Sequence, residues 1–291
     1  MQTLRRFSTP LMLAPVVIVL GTLYLGAFIT ALLQSFGWAP WYGVRTFTLE
    51  HYRTLFQTPG FWQSVLYTFY YALVPTLVGT VLSVYLAHLL HRRFRGQAFV
   101  SLVYKLPLMV PYLVGVALTV LLWSNGGLVA RALYAFGLIE TTRDFPRLLY
   151  THSGVGIMLV YLWKQVPFST LVIYSALVGL DAELEQAART LGANPRQAFW
   201  SVTLPRLIPG IVAATLIVFA YNFGSFEVPF ILGGGFPNTL PVEAWRAFDS
   251  PDLTGRLEAM AIVMVITLLS SLLLGAYLLA YRRLERRRGR V

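Results

Sequence analysis

An all-α integral membrane protein with six spanning helices is the fold class this sequence predicts. Three observations predict it. Of 291 residues, 57% are hydrophobic and only 12% are charged, against about 25% charged in an average soluble domain. The apolar residues gather in six long blocks, each near the ~20 residues needed to cross a hydrocarbon core. The net charge of +11 is carried between those blocks. It forms no basic stripe interleaved with aromatics, so a nucleic-acid-binding domain is excluded. The absence of cysteine excludes a disulfide framework and a thiolate metal site.

The first block covers residues 10–36, after a short tail holding Arg5 and Arg6. It is too long for a signal peptide and has no clear small-residue cleavage site, so it reads as a retained helix. Residues 37–60 are polar, aromatic and turn-rich, punctuated by Tyr42-Gly43 and Pro59-Gly60. The second span is 61–90, closed by His91, Arg92, Arg93 and Arg95. The third is 98–123, expected to kink at Pro107 and Pro111, because proline frees backbone groups that neighbouring helices must satisfy. A connection at 124–149 has room for a short helix at 128–136. The fourth span is 152–180, the fifth 208–233 and the sixth 258–281, followed by a basic tail. Two parts result: 1–60, with the tail, the first helix and an external segment, and a core of 61–291.

Orientation follows from arginine. The two tails, the turn after the second span and the central loop hold 14 arginines, and the remaining connections hold 7. The positive-inside rule therefore places both termini and the central loop in the cytoplasm.

That central loop, 181–205, is the longest stretch that is neither lipid-like nor simply irregular. Asp181 is a helix-capping residue, with Glu183 and Glu185 in the opening turns where the dipole favours them. Gly192 ends this first helix. Asn194-Pro195-Arg196-Gln197 starts a second, and Leu204-Pro205 is expected to end it. Leu184, Ala187, Ala188 and Leu191, then Ala198, Phe199 and Val202, give each helix an apolar side. Mixed charge (Glu183 and Glu185 against Arg189, Arg196 and Arg206) argues against a basic helix lying on lipid. The loop reads as a knob offered to a protein partner.

Gln186-Ala187-Ala188, Gly192 four residues on, and Val202-Thr203-Leu204-Pro205 resemble the cytoplasmic "EAA" loop of the permease subunits of binding-protein-dependent ABC importers. The one departure is Gln186 where that motif has Glu, with Glu185 one residue earlier. Either Glu185 takes over the pairing or Gln186 hydrogen-bonds in its place. The resemblance implies the type I ABC importer permease fold, with a two-helix coupling loop. It implies docking of an ATPase through Glu185, Gln186, Ala187, Ala188, Arg189, Gly192, Ala193, Leu204 and Pro205. The implied partners are two copies of an ATP-binding subunit, a second permease (similar or identical), and a periplasmic or lipid-anchored solute-binding protein. The implied home is a bacterial or archaeal cytoplasmic membrane. ATP and magnesium would sit on the partner ATPase, with no cofactor in this chain.

The candidate chemistry is correspondingly sparse. Neither lysine, Lys105 nor Lys164, lies in a phosphate-binding G-x-x-x-x-G-K-[ST] setting. The four histidines are scattered, and no catalytic or metal-ligating set is expected. Asn222, Glu227 and Lys164 are polar residues inside spans, where such groups face a bundle interior or a cavity. They are candidates for the translocation path. Leu191-Gly192-Ala193 and residues 226–233 resemble the family branch importing polyamines, thiamine, ferric iron, sulfate-like anions or phosphonates. Glu227 suits a cation, so a polyamine is the preferred small charged solute. A sugar, ferric iron or an anion is the alternative substrate. An ATP-independent carrier or channel is the rival of another class, opposed by the lack of internal repeats and by a single carboxylate well inside a span.

Overall fold

In the computed structural model, backbone is described for residues 2–92, 94–180 and 182–288, and side chains for 12–92, 94–180 and 183–283. The expected cap Asp181 and the residues Arg93 and Arg290 lie outside the described residues. Among the described residues, six helical stretches are long and apolar enough to cross a membrane. The chain divides into two compact units, 1–62 with 240–291, and 63–239.

The first unit contains α1 (Gln2–Ser35), a two-residue hairpin of β1 (Trp38–Ala39) and β2 (Val44–Arg45), and α2 (Glu50–Gln57). The start of α3 (Phe61–His91) also belongs to it. The turn after α1 is fixed by Tyr52, whose hydroxyl donates to Ser35 Oγ at 2.8 Å, and by a Trp38–Phe47 stack. Later in sequence, α13 (Leu240–Phe248) and α1 both pack on α14 (Leu253–Arg288). One face of α14 is buried through Leu257, Ala261 and Ile262. Its Leu268, Leu272 and Leu279 are exposed, as hydrocarbon-facing residues are in a bilayer.

The second unit holds the remainder of α3, then α4 (Gln97–Val103), α5 (Leu106–Met109) and α6 (Tyr112–Trp123). The single kinked span expected at 98–123 is thus three pieces, and the apolar stretch long enough to cross is Tyr112–Ala135, including α7 (Leu128–Ala135). The physical reason lies at Val110-Pro111. Val110 is extended and Pro111 has no N–H to continue the ladder. Next come α8 (Val155–Val178), the loop helices α9 (Ala182–Thr190) and α10 (Pro195–Ala198), then α11 (Leu204–Gly224) and α12 (Glu227–Leu232). The fifth span accordingly stops at Gly224 and restarts at Glu227.

Helix α8 is the axis of this unit. It has the largest buried share of any span, 56% of its apolar window. Around it, Tyr71, Val116, Ile157, Val160, Tyr161, Val228 and Leu232 bring α3, α6, α8 and α12 into one core. Nearer the central loop, Ala87, Ile173 and Ala214 join α3, α8 and α11. Small residues dominate there because the backbones lie close: a Cβ on Gly210 would stand 2.8 Å from Ala176 Cβ. The two spans flanking the loop are therefore held at short range next to it.

Candidate functional site

The loop's first helix ends as its sequence demands. Gly192 has φ +93°, a conformation that costs glycine little. Its N–H donates to Arg189 O, and Ala193 N–H donates to Ala188 O, each at 3.0 Å. This crossed pair of bonds is the Schellman closure of a helix. Two residues on, Asn194 and Gln197 cap each other reciprocally: Gln197 N–H donates to Asn194 Oδ1 at 2.8 Å, and Asn194 N–H donates to Gln197 Oε1 at 2.9 Å. Pro195 sits at the first helical position.

Leu204-Pro205 does not end the second helix. The chain passes from α10 through a π-helical turn, Phe199–Thr203, directly into α11. Leu204 N–H donates to Phe199 O, five residues back instead of four. The wider turn shifts the register ahead of the proline, so the ladder continues past it. The loop's second helix and the fifth span are consequently one continuous piece.

A second link ties the first loop helix to that piece. Glu185 accepts from Arg189 on one carboxylate oxygen (2.7 Å) and from Thr203 Oγ1 on the other (3.0 Å). Glu185 therefore braces α9 against the base of α11, whereas Gln186 and Ala187 are exposed and Ala188 is half-buried. The two apolar sides differ in burial. Ala198 is fully buried in the unit, but Leu184 is 50% exposed and Leu191 89% exposed. Gly192 has open space where a Cβ would be. At the other flank, the His88 ring at the end of α3 packs on Phe199 with centroids 4.4 Å apart.

Inside the spans, the three polar candidates behave differently. Asn222 is buried and exchanges amide hydrogen bonds with Gln165 of α8. Its Nδ2 donates to Gln165 Oε1 at 3.0 Å and to Thr76 Oγ1 of α3 at 3.0 Å, and Gln165 Nε2 donates back to Asn222 Oδ1. Lys164 is also buried. Its ammonium donates to Pro107 O and Val110 O, both at 2.5 Å, and lies 4.9 Å from the centre of the Tyr112 ring. Tyr112 in turn stacks on Tyr221 at 4.8 Å. Glu227 is exposed in the first turn of α12, within electrostatic range of Tyr112 and Tyr221. The structure thus joins Asn222 to Gln165 and Thr76, attaches Lys164 to the broken span, and leaves Glu227 on the surface of the unit. Sequence reasoning missed Gln165 and Thr203. The usable signal for Gln165 was an uncharged amide beside Lys164 in an otherwise apolar span.

The Gln165–Asn222 pair makes a measurable case. Gln165→Leu or Asn222→Leu alone orphans a buried amide and is expected to cost about 1–3 kcal/mol. The double replacement removes both partners and is expected to cost clearly less than the sum. Thermal unfolding of the four proteins in one detergent checks this, and strict additivity would show the pair to be uncoupled.

A family model described as "Binding-protein-dependent transport system inner membrane component" matches residues 79–290. The chain belongs to this family. This permease is 32% identical over 224 residues to the inner membrane ABC transporter permease protein YdcU of Escherichia coli strain K12, covering 73% of this chain and 71% of YdcU. It is 29% identical to the molybdenum transport system permease protein ModB of the same strain, covering 75% of this chain and 93% of ModB. To that strain's spermidine/putrescine transport system permease protein PotB it is 30% identical, covering 77% and 81%. Among solved structures, it aligns with a bacterial ABC transporter involved in the import of the acidic polysaccharide alginate at TM-score 0.78. That alignment covers 97% of this chain and 96% of the other, and at 20% identity the likeness is one of fold. The family implied by residues 186–205 is the family found. The permease is a multi-pass inner membrane subunit of a binding-protein-dependent ABC importer.

Proposed function

We propose that this permease forms half of a solute pathway and couples it to ATP hydrolysed by a separate subunit docked on the central loop, with both termini and the loop in the cytoplasm. One observation carries the reading: a loop helix with an uncovered apolar stripe (Leu184, Leu191) is fastened through Glu185 and Thr203 to a span that continues without a break. Movement of the loop would reach the interior through α11, and through the Asn222–Gln165–Thr76 bonds it would carry α8 and α3 along. Two such permeases, alike or identical, would enclose the path. Nucleotide and magnesium would belong to the two ATPase copies, and a binding protein would deliver the solute.

The preferred solute is a polyamine, on the likeness to PotB and on Glu227, a carboxylate exposed at the start of α12. An oxyanion is the second reading, favoured by a match that spans 93% of ModB. Uptake into vesicles holding the assembled importer and its binding protein separates them. Labelled spermidine is expected to accumulate only with ATP inside the compartment that holds the ATPase, and molybdate is not. Accumulation of molybdate would reverse the assignment, and uptake driven by an ion gradient without ATP would replace the importer by a carrier.

A further inference from the structure

Glu185 and Gln186 are neighbours in sequence with opposite surroundings. Both carboxylate oxygens of Glu185 are occupied inside the unit, one by Arg189 of its own helix (2.7 Å) and one by the Thr203 hydroxyl (3.0 Å). Successive residues of an α-helix are rotated by about 100°, so the side chain after Glu185 turns away from Thr203. Gln186 is exposed, and its side-chain amide has no hydrogen-bond partner among the described residues. It shares the outward half of α9 with Glu183, Leu184, Ala187 and Thr190, all exposed.

The behaviour of Thr203 sets it apart from other helical threonines of this chain. Thr76, Thr119, Thr215 and Thr267 each return the hydroxyl to the carbonyl four residues back, the usual local bond of a threonine inside a helix. Thr203 is buried in the π-helical turn and donates its hydroxyl to a different helix. That donation is charge-assisted, and such bonds are roughly twice as strong as neutral ones. Widened turns of this kind are frequent at functional sites.

We propose that Glu185 is a positioning residue and not a docking residue: its carboxylate latches α9 to the π-helical turn, and the outward contact with the ATPase falls to the uncharged amide of Gln186. This division rests on the docking reading and deepens it. It also states the chemistry of the partner. A cation buried against residue 186 would have no counter-charge, which is costly. The groove of the ATPase therefore presents a neutral hydrogen-bonding group there. Pull on α9 passes sideways into α11 through the Glu185–Thr203 bond, besides the backbone of residues 192–194.

The test uses the assembled importer and amide hydrogen exchange of the permease, with and without ATP and magnesium. In wild type, ATP is expected to change protection in α9 and in the first turns of α11 together. In Thr203→Val and in Glu185→Ala it is expected to change α9 alone. Thr203→Ser keeps the hydroxyl and is expected to restore the paired response. Glu185→Ala breaks the bond from its half-exposed side, so the test stands if valine unsettles the buried turn. These three variants are expected to recover as much ATPase as wild type. Gln186→Ala is expected to lower ATPase affinity roughly fivefold, the loss of one neutral hydrogen bond. Loss of the ATPase from Glu185→Ala with full recovery by Gln186→Ala would overturn the proposal, by returning docking to the carboxylate. A paired response that survives both Thr203→Val and Glu185→Ala would overturn it too, because α9 then drives α11 without the latch. A wild-type permease that recovers no ATPase would instead overturn the docking reading, and this division with it.

Discussion

Leu184→Asp together with Leu191→Asp is expected to strip the ATPase from this permease while leaving it inserted and folded. The two side chains are large apolar groups exposed on the loop's first helix and at its end, 50% and 89% accessible. Neither contributes to the core of its unit, so aspartate costs the permease itself little. In a docked complex, each leucine would bury apolar area worth about 1.5–3 kcal/mol. Losing both, and adding charge beside Glu183 and Glu185, is expected to lower ATPase affinity by at least ~100-fold. The measurement is ATPase recovered per permease after purification in mild detergent, with permease abundance in the membrane as the control. Full recovery would mean that the stripe docks nothing. Gly192→Trp is a harsher probe of the same surface, expected to abolish assembly too. Its φ of +93° means that tryptophan also distorts the Schellman turn, so the leucine pair isolates docking more cleanly.

What was legible in the sequence is what local chemistry decides. The capping box of Asn194 and Gln197 and the stop at Gly192 depend on residues within five positions of each other. They could be written down from the letters alone. Six spans followed from apolar length. The break between α5 and α6 was only half legible: Pro107 and Pro111 announce a disturbed helix, but not that Val110 turns extended and divides it. Pro205 misled for a related reason. Proline stops a helix in regular register, and the π-helical turn that accommodates it has no signature among residues 199–203. Long-range partners were illegible altogether. Gln165 meets Asn222, and Lys164 meets Pro107, each across 57 positions. Periodicity likewise gives a helix an apolar side without saying whether that side is covered, so Leu184 and Ala198 looked alike in sequence, yet the first is exposed and the second buried.

Lys164→Met is expected to disrupt the permease from within, and Pro111→Ala is expected to suppress the damage. Pro107 O would ordinarily accept from the N–H of residue 111, but that residue is proline. Val110 N–H reaches the same oxygen only at 3.3 Å, and the extended Val110 turns its own carbonyl out of the helix. The Lys164 ammonium supplies both oxygens at 2.5 Å, with the Tyr112 ring beside it. In a bilayer no water replaces it. Without the ammonium, Val110 O loses its donor and Pro107 O keeps only the long Val110 bond; an orphaned carbonyl costs about 1–3 kcal/mol. Removing the charge relieves a burial cost of about 2.5–3.5 kcal/mol for an unpartnered lysine, but this lysine is already solvated by two carbonyls and an aromatic face, so little of that relief is recovered. The net expectation is a loss of about 2 kcal/mol, read as lower permease abundance and a lower unfolding temperature in detergent. Lys164→Arg retains donors and is expected to fall between. Alanine at 111 restores the missing N–H, so the Lys164→Met, Pro111→Ala double variant is expected to regain most of the lost stability. If methionine alone is as stable as lysine, the ammonium does not hold the broken span. If the double variant is no better than the single, the role of Lys164 lies elsewhere than in the proline break.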